Sequence, residues 1–204
     1  MATTTAPRDK QGRFKAKKNG NGEHNRHLGA LAGAAAGGAA LGVLAMLTRK
    51  AVVQAPSALA GDWADALTLE HKAVRKIFDG LEATDEKSTG RRNFLLMQLK
   101  HMLAKHAVEE ENVIYPALRE SGQVEAADEL NREHGYIKQY LYELENSPSS
   151  SPEWGAKVRK FRADIEAHMA EEENDLFPRL RSQLSDEKNR ALTLAMNKEG
   201  FKVA

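Results

Sequence analysis

Apolar residues recur at steps of three and four along most of the chain after about residue 62, which is the period of an α-helix. Breaks near residues 84–90, 121–122 and 146–152 divide this region into four amphipathic segments, at about 62–83, 88–119, 123–146 and 152–182. Ser151 and Pro152 predict the start of the fourth helix, because serine caps helix N-termini and proline fits the first helical position. Ser185 likewise predicts a short fifth helix over about 186–197. Four helices with short connections predict an all-α, up-down-up-down four-helix bundle.

The four predicted helices form two copies of one helix pair. Several short motifs recur at an offset of 62 or 63 residues: Glu70-His71 as Glu133-His134, the tetrapeptide EEEN at 109–112 and again at 171–174, and Pro116 as Pro178. A repeat of this kind predicts that the two halves fold alike and share one core. Because proline cannot continue the helical hydrogen bonds, Pro116 and Pro178 predict a kink in the second and fourth helices.

Six polar residues occupy inward positions where the core of a bundle would normally hold Leu or Ile: His71, His106, Glu110, His134, His168 and Glu172. One buried histidine usually means a satisfied hydrogen bond, but a buried carboxylate is costly unless it is paired. In the second and fourth helices the histidine and the glutamate are four residues apart, so each pair lies on one helix face. A shared cation would satisfy all six groups, and their chemistry suits iron, manganese or zinc. Glu109 and Glu171 are alternative carboxylates, less favoured because they do not continue the apolar stripe.

These residues resemble the haemerythrin-like (HHE cation-binding) domain over about residues 62–182: His71, then His106-x-x-x-Glu110, then His134, then His168-x-x-x-Glu172. The resemblance implies a non-haem di-iron centre with an oxo- or hydroxo-type bridge, with manganese or zinc less favoured. It implies two histidines from the first repeat on one iron, two from the second repeat on the other, and both glutamates bridging.

The chain departs from the oxygen-carrying haemerythrins at two positions. Those proteins have a further histidine where this chain has Lys138, and their second bridging acid is an Asp five residues past its histidine, whereas Glu172 is four residues on. The chain therefore resembles the bacterial six-ligand branch of the family, and simple reversible oxygen carriage is not expected.

The resemblance implies more than one class of function. The first is a protein that binds or senses oxygen, nitric oxide, peroxide or iron in oxidative or nitrosative stress or iron homeostasis, and that signals through a separate protein partner. The alternative is a di-iron enzyme that decomposes peroxide, oxidises ferrous iron or repairs iron centres. A third hypothesis is a membrane-associated stress protein in which the metal mainly stabilises the fold.

The first 60 residues lack the helical pattern of the bundle. Residues 1–27 hold seven Lys or Arg and two Asp or Glu, and they predict a disordered basic tail; contact with nucleic acid or anionic lipid is the alternative. Residues 28–47 carry no charge and are rich in Ala and Gly, and as a helix they would be about 30 Å long. A membrane helix, a secretory signal and a flexible linker remain open for this segment. Residues 28–60 are thus expected to be an apolar segment with its connector, and 61–204 the bundle with a C-terminal helix.

Composition narrows the chemistry further. The chain of 204 residues has no cysteine, which excludes disulfides, thiolate zinc sites, iron–sulfur clusters and cysteine nucleophiles. The net charge is +1, and the basic residues of the tail leave the rest of the chain acidic, so a nucleic-acid partner is not expected. A cytoplasmic location is expected, with membrane association through 28–47 as the open alternative.

Overall fold

A computed structural model describes residues 45–50 and 53–204 of the chain. The predicted basic tail and most of the Gly/Ala-rich segment lie outside the described residues. The chain divides into two units, Met1–Met46 and Leu47–Ala204, and the second carries the features described below. Among the described residues, no helix is both long enough and apolar enough to span a bilayer.

The second unit is built from helices, and its described residues contain no β-strand. The helices after residue 62 are α1 (Trp63–Glu82), α2 (Thr89–Glu109), α3 (Tyr115–Glu120), α4 (Val124–Glu145), α5 (Pro152–Glu171), α6 (Phe177–Gln183) and α7 (Asp186–Val203). Two π-helical turns, Glu110–Ile114 and Glu172–Leu176, join α2 to α3 and α5 to α6. The chain thus forms four rods, namely α1, α2–α3, α4 and α5–α6, and the predicted all-α four-helix bundle is confirmed.

The predicted helix starts are visible as side-chain caps. The Ser151 hydroxyl accepts a hydrogen bond from Trp154 N, and the Ser185 hydroxyl accepts one from Lys188 N. The helix that begins after Ser185 is longer than predicted and ends at Val203 rather than near 197. The glycine at position 200 does not end it, because that glycine is buried against the bundle and packing outweighs the low helix propensity of glycine.

At the positions of the predicted kinks, the structure has π-helical turns. Pro116 and Pro178 each occupy the second position of a short helix that directly follows such a turn. A proline is tolerated there because the first turn of a helix has no partner for the missing N–H. The turns begin at Glu110 and Glu172, so the two interruptions fall at the predicted ligands themselves. Turns of this type are frequent at functional sites.

Two apolar clusters fill the core, and the polar residues separate them. One cluster contains Trp63, Leu67, Ile114, Leu130 and Phe177; the other contains Val74, Leu103, Leu141, Trp154 and Ile165. On each of the four rods, the inward histidine lies in sequence between a member of one cluster and a member of the other. A polar layer is therefore enclosed between two dry layers, which keeps water away from it at both ends.

Candidate metal centre

All six sequence-predicted ligands lie in this polar layer, and none is more than 4% exposed: His71, His106, Glu110, His134, His168 and Glu172. Their donor atoms form two overlapping groups, each within 4.8 Å. The first group takes both histidines of the first repeat and both glutamates, and the second takes Glu110 and both histidines of the second repeat. Because the layer draws residues from all four rods, the bundle brings together side chains that are about 100 residues apart in sequence.

Each of the two glutamates lies between one histidine of each repeat. The distances to the Nε2 atoms are as follows: from Glu110 Oε2, 3.2 Å to His106 and 3.3 Å to His134; from Glu172 Oε2, 3.5 Å to His71 and 3.4 Å to His168. A carboxylate in this position can contact a cation on either side of it. The arrangement is that of two similar halves joined by two shared acids.

A second ring of glutamates holds the outer nitrogen of each of the four histidines in the polar layer. The Nδ1 contacts are His71 with Glu173 at 2.8 Å, His106 with Glu70 at 3.1 Å, His134 with Glu111 at 2.9 Å, and His168 with Glu133 at 2.7 Å. A neutral imidazole that donates Nδ1–H to a carboxylate turns the lone pair of Nε2 towards the centre, as metal-binding histidines do. This second ring was not predicted from the sequence. The signal was present in the repeat, since Glu70 recurs as Glu133 and Glu111 recurs as Glu173.

The donor set fits a cation better than it fits hydrogen bonding alone. Three buried side-chain atoms of the centre have no hydrogen-bond partner: Glu110 Oε1, His168 Nε2 and Glu172 Oε2. In addition, His71 Nε2 and His106 Nε2 face each other at 2.9 Å. Two lone pairs at that distance repel unless a proton or a metal ion lies with them. Buried acceptors without donors are destabilising, and a bound cation would satisfy all of them together.

Without metal, the centre retains protons. Burial raises the pKa of Glu172 to about 7, and the negative charge of Glu110 acts in the same direction. Burial lowers the pKa of His134, but hydrogen bonds with the carboxylates of Glu110 and Glu111 outweigh it and raise that pKa to about 9. Burial would raise the pKa of Glu110, but its contacts with His106 and His134 hold it well below the usual range. Cation binding must therefore displace protons from these side chains.

Tyr115 is a further polar residue of the centre that the sequence analysis missed. Its buried hydroxyl donates to Glu172 Oε1 at 2.9 Å and lies 2.9 Å from His134 Nε2. Burial and the nearby carboxylates raise its pKa well above the ordinary value, so the hydroxyl stays protonated. The equivalent residue of the second repeat is Phe177, whose ring stacks 6.2 Å from that of His71. The two halves of the centre therefore differ at this position.

Of the alternative carboxylates, Glu109 forms a third group within 4.8 Å with His106 and Glu70, and Glu171 belongs to none of the groups found among the described residues. Glu171 is exposed, whereas Glu109 is fully buried and contacts Lys105 at 2.8 Å. Lys105 Nζ also contacts Glu70 Oε1 at 2.5 Å, so one buried ammonium group lies between two buried carboxylates. Through Glu70, this network adjoins Nδ1 of His106. It exists in the first repeat alone, because the residue equivalent to Lys105 in the second repeat is an alanine.

The family model described as "Hemerythrin HHE cation binding domain" matches residues 63–180 of the chain. Among solved structures, a hemerythrin HHE cation binding domain-containing protein from Mycobacterium kansasii is similar, with a TM-score of 0.60 and 23% sequence identity. The similarity covers 70% of this chain and 86% of that one, and it shows the same fold.

Two curated proteins are also similar in sequence. A DNA nickase from Nostoc sp. (strain PCC 7120 / SAG 25.82 / UTEX 2576) is 28% identical over 123 residues, which are 60% of this chain and 34% of the nickase. A hemerythrin-like protein from Schizosaccharomyces pombe (strain 972 / ATCC 24843) is 26% identical over 129 residues, which are 61% of this chain and 62% of that protein. The chain thus matches less than two thirds of the length of either relative.

Proposed function

Because the chain belongs to the haemerythrin HHE cation-binding domain family, we propose that it is a non-haem di-iron protein that binds or senses oxygen, nitric oxide or peroxide in oxidative or nitrosative stress. The proposed ligands are His71, His106, Glu110, His134, His168 and Glu172. Bound iron would supply reversible electron transfer and open coordination positions for a small ligand.

The observation that carries the proposal is the orientation of the four imidazoles. Each has its Nδ1 held by a carboxylate and its Nε2 left facing the two inner glutamates. A core built only for stability would place apolar groups here, because replacing buried charges by hydrophobic residues is often neutral or stabilising. Four nitrogen and two carboxylate donors shared between two ions would leave open positions on six-coordinate metals, whereas they would complete a tetrahedral zinc site.

The chain's own residues have three tasks in this proposal. The outer carboxylates fix each imidazole ring and its tautomer. The two apolar clusters exclude water from the layer between them. The Tyr115 hydroxyl, which burial keeps protonated, can donate a hydrogen bond to a ligand at the centre.

The second candidate function is a di-iron enzyme, and Tyr115 is the observation that favours it. A hydroxyl 2.9 Å from both His134 Nε2 and Glu172 Oε1 can donate a hydrogen bond to a bound oxygen-containing ligand. Such a hydrogen bond would stabilise the negative charge that develops on the departing oxygen when peroxide decomposes, whereas stable binding of a diatomic ligand does not need it.

The test is to express the full chain in iron-replete cells, count iron per chain, and record absorption spectra as the reduced protein meets oxygen, nitric oxide and peroxide. Two irons with a reversible spectral change and no loss of peroxide support the binding or sensing function. Two irons with sustained peroxide consumption support the enzyme. A folded chain with little metal overturns both.

A paired substitution tests the bridging assignment. Glu110→Gln with Glu172→Gln should abolish the two-iron centre, because neutral amides are poor bridging ligands for iron. The matched control is Glu171→Gln, which changes the exposed glutamate next to Glu172 and should leave both irons bound. Full iron occupancy in the double variant would contradict the bridging roles.

A further inference from the structure

We infer that a small uncharged ligand reaches the centre from one side, through a cavity between α2, α4 and α5, and binds on the side of His134 and His168. The inference rests on the proposed function, since it concerns access to the same centre. The cavity has a volume of about 420 Å³, which is ample for a diatomic molecule.

The lining of the cavity selects for uncharged molecules. Its walls are largely apolar, with Leu103, Ala107, Ile137, Leu141, Ile165 and Met169 among them. Charged groups also line it, and they are paired: Lys138 with Glu111, and Lys100 with Glu145 at 2.7 Å. An anion that moved along this lining would lose its hydration without gaining a free partner, whereas a neutral diatomic would lose little.

The cavity reaches the two halves of the centre unequally. It is lined by both histidines of the second repeat, His134 and His168, but by His106 alone of the first repeat. His71 has no exposed surface, and the ring of Phe177 stacks on it. A ligand that arrives through this cavity therefore meets both histidines of the second half and one of the first.

The opposite face of the first half is covered. The Lys105 network lies over Glu70 and His106, and the backbone of α7 lies directly on it. A Cβ atom placed on Gly200 would fall 1.8 Å from Glu109 Oε1, so there is no spare space between α7 and this network. Gln54 also covers this face, and its Nε2 donates a hydrogen bond to Glu109 Oε1 at 3.1 Å.

A second opening, of about 910 Å³ between α4 and α5, is the competing route. It reaches Glu133 and His168, and several acidic side chains and two lysines, Lys157 and Lys160, line it. It meets His168 beside the carboxylate that holds its outer nitrogen. Its lining is also mainly apolar, but a larger share of it is polar than in the first cavity, so it is less selective for an uncharged gas.

The repeat itself supplies the test substitution. Ala107 lines the cavity, and the equivalent residue of the second repeat is Met169. The fold already accepts methionine at the equivalent position of the second repeat. Ala107→Met introduces the same side chain in the first repeat, where it should fill the cavity. The matched control is Ala156→Met, which makes the same change in the competing opening at an exposed position.

The first readout is the association rate of nitric oxide with the reduced iron-loaded protein. Ala107→Met should slow association about tenfold or more at unchanged iron content, and Ala156→Met should leave it unchanged. Met169→Ala, which widens the cavity, should speed association. This opposite change keeps the inference testable even if Ala107→Met fails to fold. Equal rates in the three variants and the unmodified protein, or slowing by Ala156→Met instead, would overturn the inference.

The second readout needs no metal. Xenon under pressure should bind in the cavity of crystals of the metal-free protein and should be excluded by Ala107→Met, because dry apolar cavities bind xenon. Xenon that does not enter the unmodified protein contradicts the inference even where two irons bind. Xenon binding in a chain that takes up no iron supports the cavity while the proposed function fails, so the two failures are distinguishable.

Discussion

Lys105→Met should destabilise the metal-free bundle far more than an ordinary lysine substitution. Lys105 Nζ lies 2.5 Å from Glu70 Oε1 and 2.8 and 2.9 Å from the two oxygens of Glu109, and all three side chains are less than 10% exposed. Removal of one partner from a buried ion pair costs about 3–5 kcal/mol, because the remaining charge is left without compensation. We expect a loss of that size at pH 8.

The loss should be smaller at pH 6. Burial raises the pKa of Glu109 to about 7, the nearby Glu70 acts in the same direction, and removal of the ammonium group of Lys105 would raise it further. A carboxyl group whose pKa is raised in the folded state stabilises the fold while it is protonated and loses that contribution as pH rises through the raised pKa. In Lys105→Met, Glu109 is therefore protonated at pH 6, and stability falls by up to about 1.4 kcal/mol per pH unit as pH rises from the ordinary pKa of 4.5 towards the raised value.

Chemical denaturation of the metal-free protein at pH 6 and pH 8 measures both effects. Lys100→Met is the matched control, since Lys100 lies on the same helix in an exposed pair with Glu145 and should cost less than about 1 kcal/mol. The double variant Lys105→Met with Glu109→Gln should recover much of the loss at pH 8, because it removes the uncompensated carboxylate. A cost for Lys105→Met equal to that of Lys100→Met, or one independent of pH, would refute this account of the network.

Three further predictions concern the centre and its cover. Metal binding to the metal-free protein at pH 7 should release about one proton or more per chain, because His134, with a pKa of about 9, must lose its proton to bind; an unbuffered titration that detects none contradicts this. Tyr115→Phe should keep the metal count but lower the stability of the metal-free protein by about 1 kcal/mol through the lost hydrogen bond, and unchanged denaturation curves would count against it. Gly200→Ala should destabilise by about 1–3 kcal/mol, since its Cβ would fall 1.8 Å from Glu109 Oε1. Gly135→Ala is the control, because a Cβ there meets nothing within 4 Å; equal effects of the two would show that α7 can move aside.

The sequence predicts the four rods and the inward faces well, because both follow from helical periodicity. His106 and Glu110 had to share a face once the helix was assigned, and the repeat placed their counterparts in the same relation. The outer carboxylates could not be predicted in this way. Glu70 adjoins His71 in sequence, but it bonds the histidine of the neighbouring helix, and that choice depends on how the two helices pack.

Glu109 and Glu171 show the limit of local sequence most clearly. They occupy the same position of the same tetrapeptide, yet one is fully buried and the other exposed. The difference comes from α7 and from Gln54, which cover Glu109 and not its counterpart. No pattern within the tetrapeptide indicates which repeat the last helix will cover. The burial of Glu109 therefore depends on tertiary packing and cannot be predicted from the local sequence.

Two differences between the repeats enclose the first half of the centre or add a functional group to the second. They are the basis for unequal roles of the two halves. Lys105 is replaced by Ala167 in the second repeat, and Tyr115 is replaced by Phe177. The first change closes the side of His106 with a buried ionic network, and the second places a hydroxyl beside His134 rather than His71. Duplication alone would produce two equivalent positions that compete for one ligand. The Lys105 network and α7 cover one half, whereas a hydrogen-bond donor and a cavity adjoin the other. The same six proposed ligands would therefore hold one iron in an enclosed position and present the second to the incoming molecule.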